Sequence, residues 1–492
     1  MKKYITLLFP LLSVFLFLLV SFPACAEESG TLRALLIGCD EFVTMPSITP
    51  AAENNLKMLS LVLQNDQRGY DTIVTAGNTL RNEQDLREIL DTVFYGAHGN
   101  DLSFIYFGTH GIISESGEYS IVLSDGKEES IVSGTLLRDL LNRIPGQKIL
   151  VLDTCYSGSF IGKGMNDVSL LPLFSEKDLS VFCACGGCEL SFYFSTKPDG
   201  SSEAASFFCN ALCQGLNSEL GYPADLNQDG LITLYEMETY LPEHYGVSTP
   251  QVYPSGEKQR VFFCYDPEES MIVSPLLDGL AFEEAVIDSP ENPADFSYLL
   301  HREALVYYQL VCHREGRWQF DQAREIADPR EGESLQPGFI RRSLTLSDEN
   351  GGDSGYVLVN LITLSGDGPQ LQGGHLLTVQ NPKEENLVSL ECGRIFHPEK
   401  GEEMPFILRH TAPTVITARI LNEQGEIVRL LAYDLPSRPQ GLTPDGTCLY
   451  WNGRDDRGEI CSAGNYRLQV QLKCGENKNT LSGPLFSLSG SE

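Results

Sequence analysis

ILVLDTCYSGSF, residues Ile149–Phe160, is an unbroken apolar run that ends in an aspartate, a cysteine and a set of small residues. FIYFGTHG, residues Phe104–Gly111, is built the same way and ends in a histidine held between threonine and glycine. A strand apolar along its whole length is buried on both faces, as in a parallel sheet covered by helices. Each run then delivers one reactive side chain at its carboxyl end, where the functional groups of such sheets collect.

The neighbouring sequence extends this pattern. Arg33–Gly38, Thr72–Ala76 and Leu179–Cys183 read as further short apolar strands, and Arg260–Cys264 closes the set. Helical stripes lie between them. Thr49 and Pro50 signal a helix start followed by Ala52, Leu56, Leu59 and Leu63 at helical spacing. Asn82 caps a second helix with Leu86, Ile89, Leu90, Val93 and Phe94 on one face. Ser133 opens a third over Leu136, Leu137, Leu140 and Leu141, and a fourth runs from about Ser202 to Leu216. Residues 31–266 are therefore predicted to form an α/β domain with a parallel sheet covered on both faces. Asp40, His110 and Cys155 converge at its carboxyl edge.

Beyond residue 270 the helical stripes stop. Short alternating segments such as Ala304–Val311, Tyr356–Leu364 and His375–Val379, separated by turn-rich breaks like Asp348–Asp353, predict β-sandwich modules over 270–394 and 395–487.

The chain of 492 residues carries 67 acidic and 35 basic side chains, a net charge of −32. That balance excludes nucleic acid and anionic membrane surfaces as partners. Lys2 and Lys3, the apolar run Leu7–Val20 and the small residues Ala24-Cys25-Ala26 read as a secretory signal over residues 1–26. The run is shorter than the ~20 residues a spanning helix needs, and no second run of that length follows, so the mature chain is expected outside the cytoplasm without a transmembrane segment. Cys25 is also placed where a lipid acceptor would stand, a reading that Phe22 and Pro23 oppose. Of the 14 cysteines an odd number remains once Cys25 is removed with the leader, which leaves at least one thiol unpaired.

A thiol held at a strand end beside an imidazole is the arrangement a cysteine nucleophile needs. The imidazole moves the proton and nearby backbone N–H groups face the developing oxyanion. Taken singly, Cys155 reads as a core cysteine and His110 as a core or capping histidine; their joint placement beside glycine at two strand ends favours chemistry. His98-Gly99 precedes its strand and reads as loop.

Residues 31–266 resemble the caspase-like superfamily of metacaspases, legumains, clostripain and gingipains. The resemblance rests on His110-Gly111 and on Asp153-Thr154-Cys155 followed by Tyr156-Ser157-Gly158-Ser159. It implies a cysteine endopeptidase in which Cys155 attacks the scissile carbonyl, His110 handles the leaving-group proton, and the N–H groups of Gly111 and Cys155 form the oxyanion hole. Where metacaspases carry an aspartate near the start of the first helix, this chain has Asn54-Asn55. Asp40 and Glu189 are then the candidates for a negative substrate pocket, and the lean is towards basic or uncharged substrate residues. Two other readings use the same shell: a non-catalytic binding or adhesion protein, and a transpeptidase whose acyl-enzyme meets an amine.

DLNQDGLITLYE, residues 225–236, places Asp225, Asn227, Asp229, Leu231, Thr233 and Glu236 at loop positions 1, 3, 5, 7, 9 and 12, with Gly230 at 6. That is the spacing of a calcium loop, in which Leu231 gives its carbonyl and Glu236 both oxygens. A structural Ca2+ is expected and no organic cofactor. Cys183, Cys185, Cys188, Cys209 and Cys213 could hold a metal, but Cys183 and Cys185 alternate along a strand and point to opposite faces, so core or disulfide roles are expected. Tyr450–Gly458 and Ala463–Leu468 resemble the Ig-like domain of flagellar hook-capping proteins. That likeness puts Trp451 in a sandwich core and implies spacing, adhesion or contact with a cell surface. The polar segment Gly162–Ser180 is where a self-processing cut is expected.

Overall fold

The computed structural model describes residues 30–489 apart from 115–117, 163–177, 188, 195–203, 245–246, 268–275, 315–316, 319–323, 329–332, 347–353, 366–367, 401 and 438–445. The expected signal at 1–26, with Cys25, therefore lies outside the described residues, as do Cys188 and most of the expected cleavage segment. Among the described residues no helix is long and apolar enough to cross a membrane.

The first region is built, in chain order, from β1 (Leu32–Gly38), α1 (Ala51–Gln64), β2 (Thr72–Gly77), α2 (Glu83–Val93) and β3 (Leu102–Gly108). Then come β4 (Gly111–Ile113), β5 (Tyr119–Ser124), β6 (Glu129–Ser133), α3 (Gly134–Leu141), β7 (Gln147–Asp153) and β8 (Leu179–Cys183). The region closes with β9 (Tyr193–Phe194), β10 (Ala205–Ser206), α4 (Phe207–Gly215), β11 (Leu231–Thr233), α5 (Leu234–His244), β12 (Gln251–Tyr253) and β13 (Val261–Cys264).

The main sheet has the order β12-β8-β7-β3-β1-β2. Its β2, β1, β3, β7 and β8 run parallel, and β12 is antiparallel to β8. Period-two alternation sorts the apolar residues onto two faces. Ala34, Leu36, Phe104, Tyr106, Ile149 and Val151 pack with Leu56, Leu59 and Leu63 of α1 and Phe208 and Leu212 of α4. Leu35, Ile37, Ile105, Phe107, Leu150 and Leu152 pack with Leu86 and Leu90 of α2 and Leu137, Leu140 and Leu141 of α3. Each fully buried side chain of this kind is worth roughly 1.5–3 kcal/mol, so the two faces together hold the strand ends rigid. Register aligns those ends: Gly38 pairs with Gly108, and Gly108 with Asp153.

Three local expectations change. The cap of α1 is not Thr49: Asp40, beyond β1, accepts the N–H of Ala52 at 2.7 Å and of Glu53 at 2.9 Å. Its carboxylate satisfies two of the orphan donors that every helix start presents. The fourth helix starts at Phe207, capped by Ser206, whose hydroxyl accepts the N–H of Cys209 at 2.8 Å. Finally, Val261–Cys264 does not join the main sheet. It pairs with β11, and Gln251–Tyr253 forms the sheet's antiparallel edge instead. A four-residue apolar run fits any buried sheet, so its partner is a tertiary matter. The antiparallel sheet β4-β5-β6, which the pattern did not signal, leads out of β3 and carries Glu129.

The rest of the chain is β-rich. In the middle, a three-stranded sheet of Leu277–Phe282, Pro293–Leu300 and Gly338–Thr345 shares a core with a larger sheet around Leu305–Arg314, Gly355–Ser365 and Gly368–Val379. Its Val311, Leu358 and Ile362 also join the apolar cluster around α4. In the last region, Val388–Cys392, Met404–His410 and Gly446–Trp451 face a sheet built on Val415–Asn422, Ile427–Pro436 and Gly464–Cys474. Trp451 is 1% exposed and packs against Phe396, Tyr466 and Phe486 in the shared core.

Candidate active site

His110 follows the end of β3. Thr109 anchors the turn by donating its hydroxyl to the Val122 carbonyl at 2.5 Å, and Val122 N–H returns to the His110 carbonyl at 3.0 Å. The imidazole is gripped from the loop between β1 and α1. Its Nε2 lies 2.8 Å from the Pro46 carbonyl oxygen, and the Phe42 ring sits 4.5 Å away, centroid to centroid. A carbonyl only accepts, so Nε2 carries the hydrogen and Nδ1 is the basic nitrogen of the neutral ring. Burial lowers the His110 pKa, against the Pro46 hydrogen bond and the Glu129 charge, which raise it.

Cys155 stands where β7 breaks. Tyr156, next in the chain, has φ of +59°, and a short 3-10 helix over Ser157–Ile161 follows. A non-glycine residue in the left-handed region marks a turn imposed by its surroundings. Here Tyr156 N–H donates to the Glu189 carbonyl at 2.8 Å and Gly158 N–H to the Cys185 carbonyl at 3.0 Å. The half-buried thiol donates to the Ser191 carbonyl at 3.6 Å. Burial, helped by the nearby Asp153 charge, pushes its pKa up to about 11.

The two strand ends touch through their backbones. A Cβ built on Gly111 would sit 2.0 Å from the Cys155 carbonyl oxygen and 2.9 Å from Thr154 Oγ1, so only glycine fits beside the cysteine. Among the described residues no hydrogen bond joins the thiol to the imidazole. The resting pair is thus a protonated thiol and a neutral imidazole on adjoining segments.

Beneath Cys155, Asp153 is buried in a ring of donors that the sequence motif alone did not reveal. Tyr106 donates to it at 2.8 Å, Asn55 at 3.4 Å and Ser191 at 3.2 Å, and Ser206 adds a hydroxyl. Desolvation nevertheless raises its pKa to about 6. Asn55, at the position the resemblance singled out, also accepts Ser206 N–H at 3.0 Å. It is part of this buried network.

The proposed pocket carboxylates are engaged elsewhere. Asp40 is 1% exposed and spends both oxygens on α1. Glu189 accepts Gly186 N–H at 3.1 Å, Thr249 N–H at 2.8 Å and the Thr249 hydroxyl at 2.9 Å. It ties the loop beside Cys155 to the segment before β12. Both carboxylates already accept hydrogen bonds from the fold itself.

The 225–236 loop folds on itself. Asp225, buried, accepts Gln228 N–H at 2.7 Å, Gly230 N–H at 2.9 Å and the Tyr265 hydroxyl at 2.8 Å. Gly230 has φ of +84° and packs against Tyr265 and Pro267. Asp229 accepts Leu231 N–H at 2.9 Å, while Glu236, buried on α5, accepts from Thr233 N–H and hydroxyl at 2.8 Å. Among the described residues no three His, Cys, Asp or Glu side chains converge as a metal cluster. A calcium loop draws on carbonyl, amide and hydroxyl oxygens as well, and two buried acids at its first and last positions fit that donor set. Cys209 and Cys213 lie 4.0 Å apart, sulfur to sulfur, within α4. Cys155, Cys185, Cys209 and Cys213 are free thiols.

Phe42, Pro46, Glu129 and Ser191 were missed from sequence. Two of them act through backbone carbonyls, which leave no trace in side-chain identity.

Residues 31–229 match the family model of the caspase domain. Among solved structures, a protein of Geobacter sulfurreducens is 14% identical over 48% of this chain and 100% of its own, with a TM-score of 0.34. Caspase-1 from Spodoptera frugiperda is 15% identical over 47% and 91%, with a TM-score of 0.30. The Drosophila initiator caspase Dronc is 16% identical over 42% and 71%, with a TM-score of 0.27. No curated protein matches. The α/β layering of the first region and the β-sheets of the remainder agree with the fold class read from the sequence.

Proposed function

We propose that this chain is an exported cysteine endopeptidase, with Cys155 as nucleophile and His110 as the proton carrier. The supporting observation is the contact between two strand ends: Gly111 pressed on the Cys155 carbonyl, with one imidazole nitrogen fixed by Pro46.

The chemistry starts from a neutral pair. With the thiol pKa raised and the imidazole pKa lowered, a resting thiolate–imidazolium is disfavoured. The thiol proton moves to His110 Nδ1 as Sγ bonds to the substrate carbonyl carbon, and the carbonyl oxygen takes the negative charge. The N–H groups of Gly111 and Cys155 face that oxyanion. On collapse the C–N bond breaks, His110 returns the proton to the leaving amine, and an S-acyl enzyme remains. Water, deprotonated by His110, releases the acid. An amine in place of water would give transpeptidation, and product masses separate the two outcomes.

The loop over Asp225, Asn227, Asp229, Leu231, Thr233 and Glu236 is proposed to hold a calcium ion, which supplies charge to brace the strand–helix junction at β11 and α5. With both candidate pocket acids engaged, Asp40 and Glu189 would contribute only negative field to substrate choice. The β-sandwich regions are proposed to position the peptidase or touch a cell surface.

The test is labelling of the purified chain with a peptidyl electrophile, alongside proteolysis of a peptide library. Cys155→Ala is expected to abolish both. His110→Ala is expected to cut turnover by about 10²–10⁴-fold. Labelling that persists in Cys155→Ala and moves to other cysteines would leave the non-catalytic reading standing.

A further inference from the structure

We infer that Glu129 is the positioning residue of the active-site imidazole, clamping the loop that holds His110; this rests on the peptidase reading above. The loop between β1 and α1 supplies both contacts that orient the ring, the Pro46 carbonyl and the Phe42 face. Between those two residues the loop is fastened to one carboxylate. Glu129, on β6, accepts Val43 N–H at 2.7 Å, Thr44 N–H at 3.1 Å and the Thr44 hydroxyl at 2.5 Å. Three donors on two consecutive residues fix the loop in direction as well as distance, and charge-assisted bonds of this kind are about twice as strong as neutral ones.

The clamp joins parts that no local pattern links. Glu129 reaches residues 85 and 86 positions away in the chain, from a small antiparallel sheet that itself starts at Gly111. The same sheet therefore fixes the residue after His110 and, through Glu129, the groups on the ring's far side. The carboxylate also acts through space. Its charge favours the imidazolium and opposes the burial that lowers the His110 pKa. The other charged groups nearby are committed elsewhere or turned outward. Asp40 caps α1, Asp125 accepts Lys127 and Glu128 N–H, and Glu41 lies against Gly126. Asp153 and Cys155 are the titratable groups at the β7 end.

The test uses the full chain with Glu129→Gln, Glu129→Asp and Glu129→Ala, each checked for an unchanged melting profile. In a Cys155→Ala background, histidine Cε1–H resonances are titrated by NMR, with His110 assigned by its loss in His110→Ala. In Glu129→Gln the His110 midpoint is expected to fall by about 0.5 pH unit or more, because the anion that favoured the charged ring is gone. In the Cys155 protein, Glu129→Ala is expected to lower kcat roughly 10–100-fold with KM within about twofold, the cost of a misplaced proton carrier. Glu129→Asp should recover part of that loss. An active parent whose His110 midpoint and kcat are both unmoved by Glu129→Gln overturns the inference and leaves the peptidase reading intact. A parent with no Cys155-dependent activity whose His110 midpoint still falls upholds the clamp and removes the peptidase reading. If Glu129→Ala unfolds, the isosteric Glu129→Gln decides alone.

Discussion

His110 Nε2 and the Pro46 carbonyl oxygen stand 2.8 Å apart, which assigns the hydrogen to Nε2 and leaves Nδ1 as the nitrogen that accepts a proton. In the proposed mechanism this one bond sets the direction in which the proton moves. Burial, which outweighs the Pro46 bond and the Glu129 charge, makes the neutral ring the starting state.

The thiol should behave accordingly. Burial pushes the Cys155 pKa up to about 11, so at pH 7 the thiolate is roughly one part in 10⁴. Alkylation of Cys155 by iodoacetamide is expected to climb steadily from pH 7 to 10, followed by mass spectrometry of the labelled peptide. A plateau reached already near pH 6–7 would show a resting ion pair with His110 and refute the neutral starting state.

Asp153 should leave a mark on stability. Its folded pKa of about 6 lies above the ordinary carboxylate value, because burial disfavours the anion. The sign follows. Protonation favours the native state, so this group's contribution is fully present below pH ~4 and is lost as pH rises through ~6, to the extent of about 3 kcal/mol. Asp153→Asn removes the titration. Denaturant melts from pH 4 to 7 should therefore show the variant gaining on the parent as pH rises. Parallel curves for the two proteins would mean that Asp153 does not titrate in this window.

Calcium is the third expectation. Millimolar calcium should raise the melting temperature and chelation should lower it; a ligand at 100 times its Kd adds about 2.7 kcal/mol. Asp229→Ala removes one exposed loop carboxylate and is expected to abolish the response while leaving the chelated protein's melt almost unchanged. A melting temperature indifferent to chelator retires the calcium loop.

How far the sequence carried the reading can be traced residue by residue. Leu35, Ile37, Ile105 and Leu150 announced their strands because alternation and apolar continuity are local properties of the chain. Asn82 and Ser133 announced helix starts because a cap bonds to N–H groups two or three positions on. His110 and Cys155 stood out because each ends such a strand. Asp40 misled: its carboxylate looked available beside the site, and the first turn of α1 takes both oxygens. Val261–Cys264 misled for a different reason, since four apolar residues do not specify which sheet they join.

What the sequence determined alone is therefore the layered sheet and the strand ends that carry His110 and Cys155, since periodicity and apolar runs act over a few residues. Only the tertiary structure decided the rest: the Pro46 carbonyl on His110, the Glu129 clamp on its loop, the donor ring around Asp153 and the Ser191 carbonyl on Cys155. Those contacts join residues scores of positions apart, and several run through backbone oxygens that every residue possesses. Their specificity comes from where the fold places them.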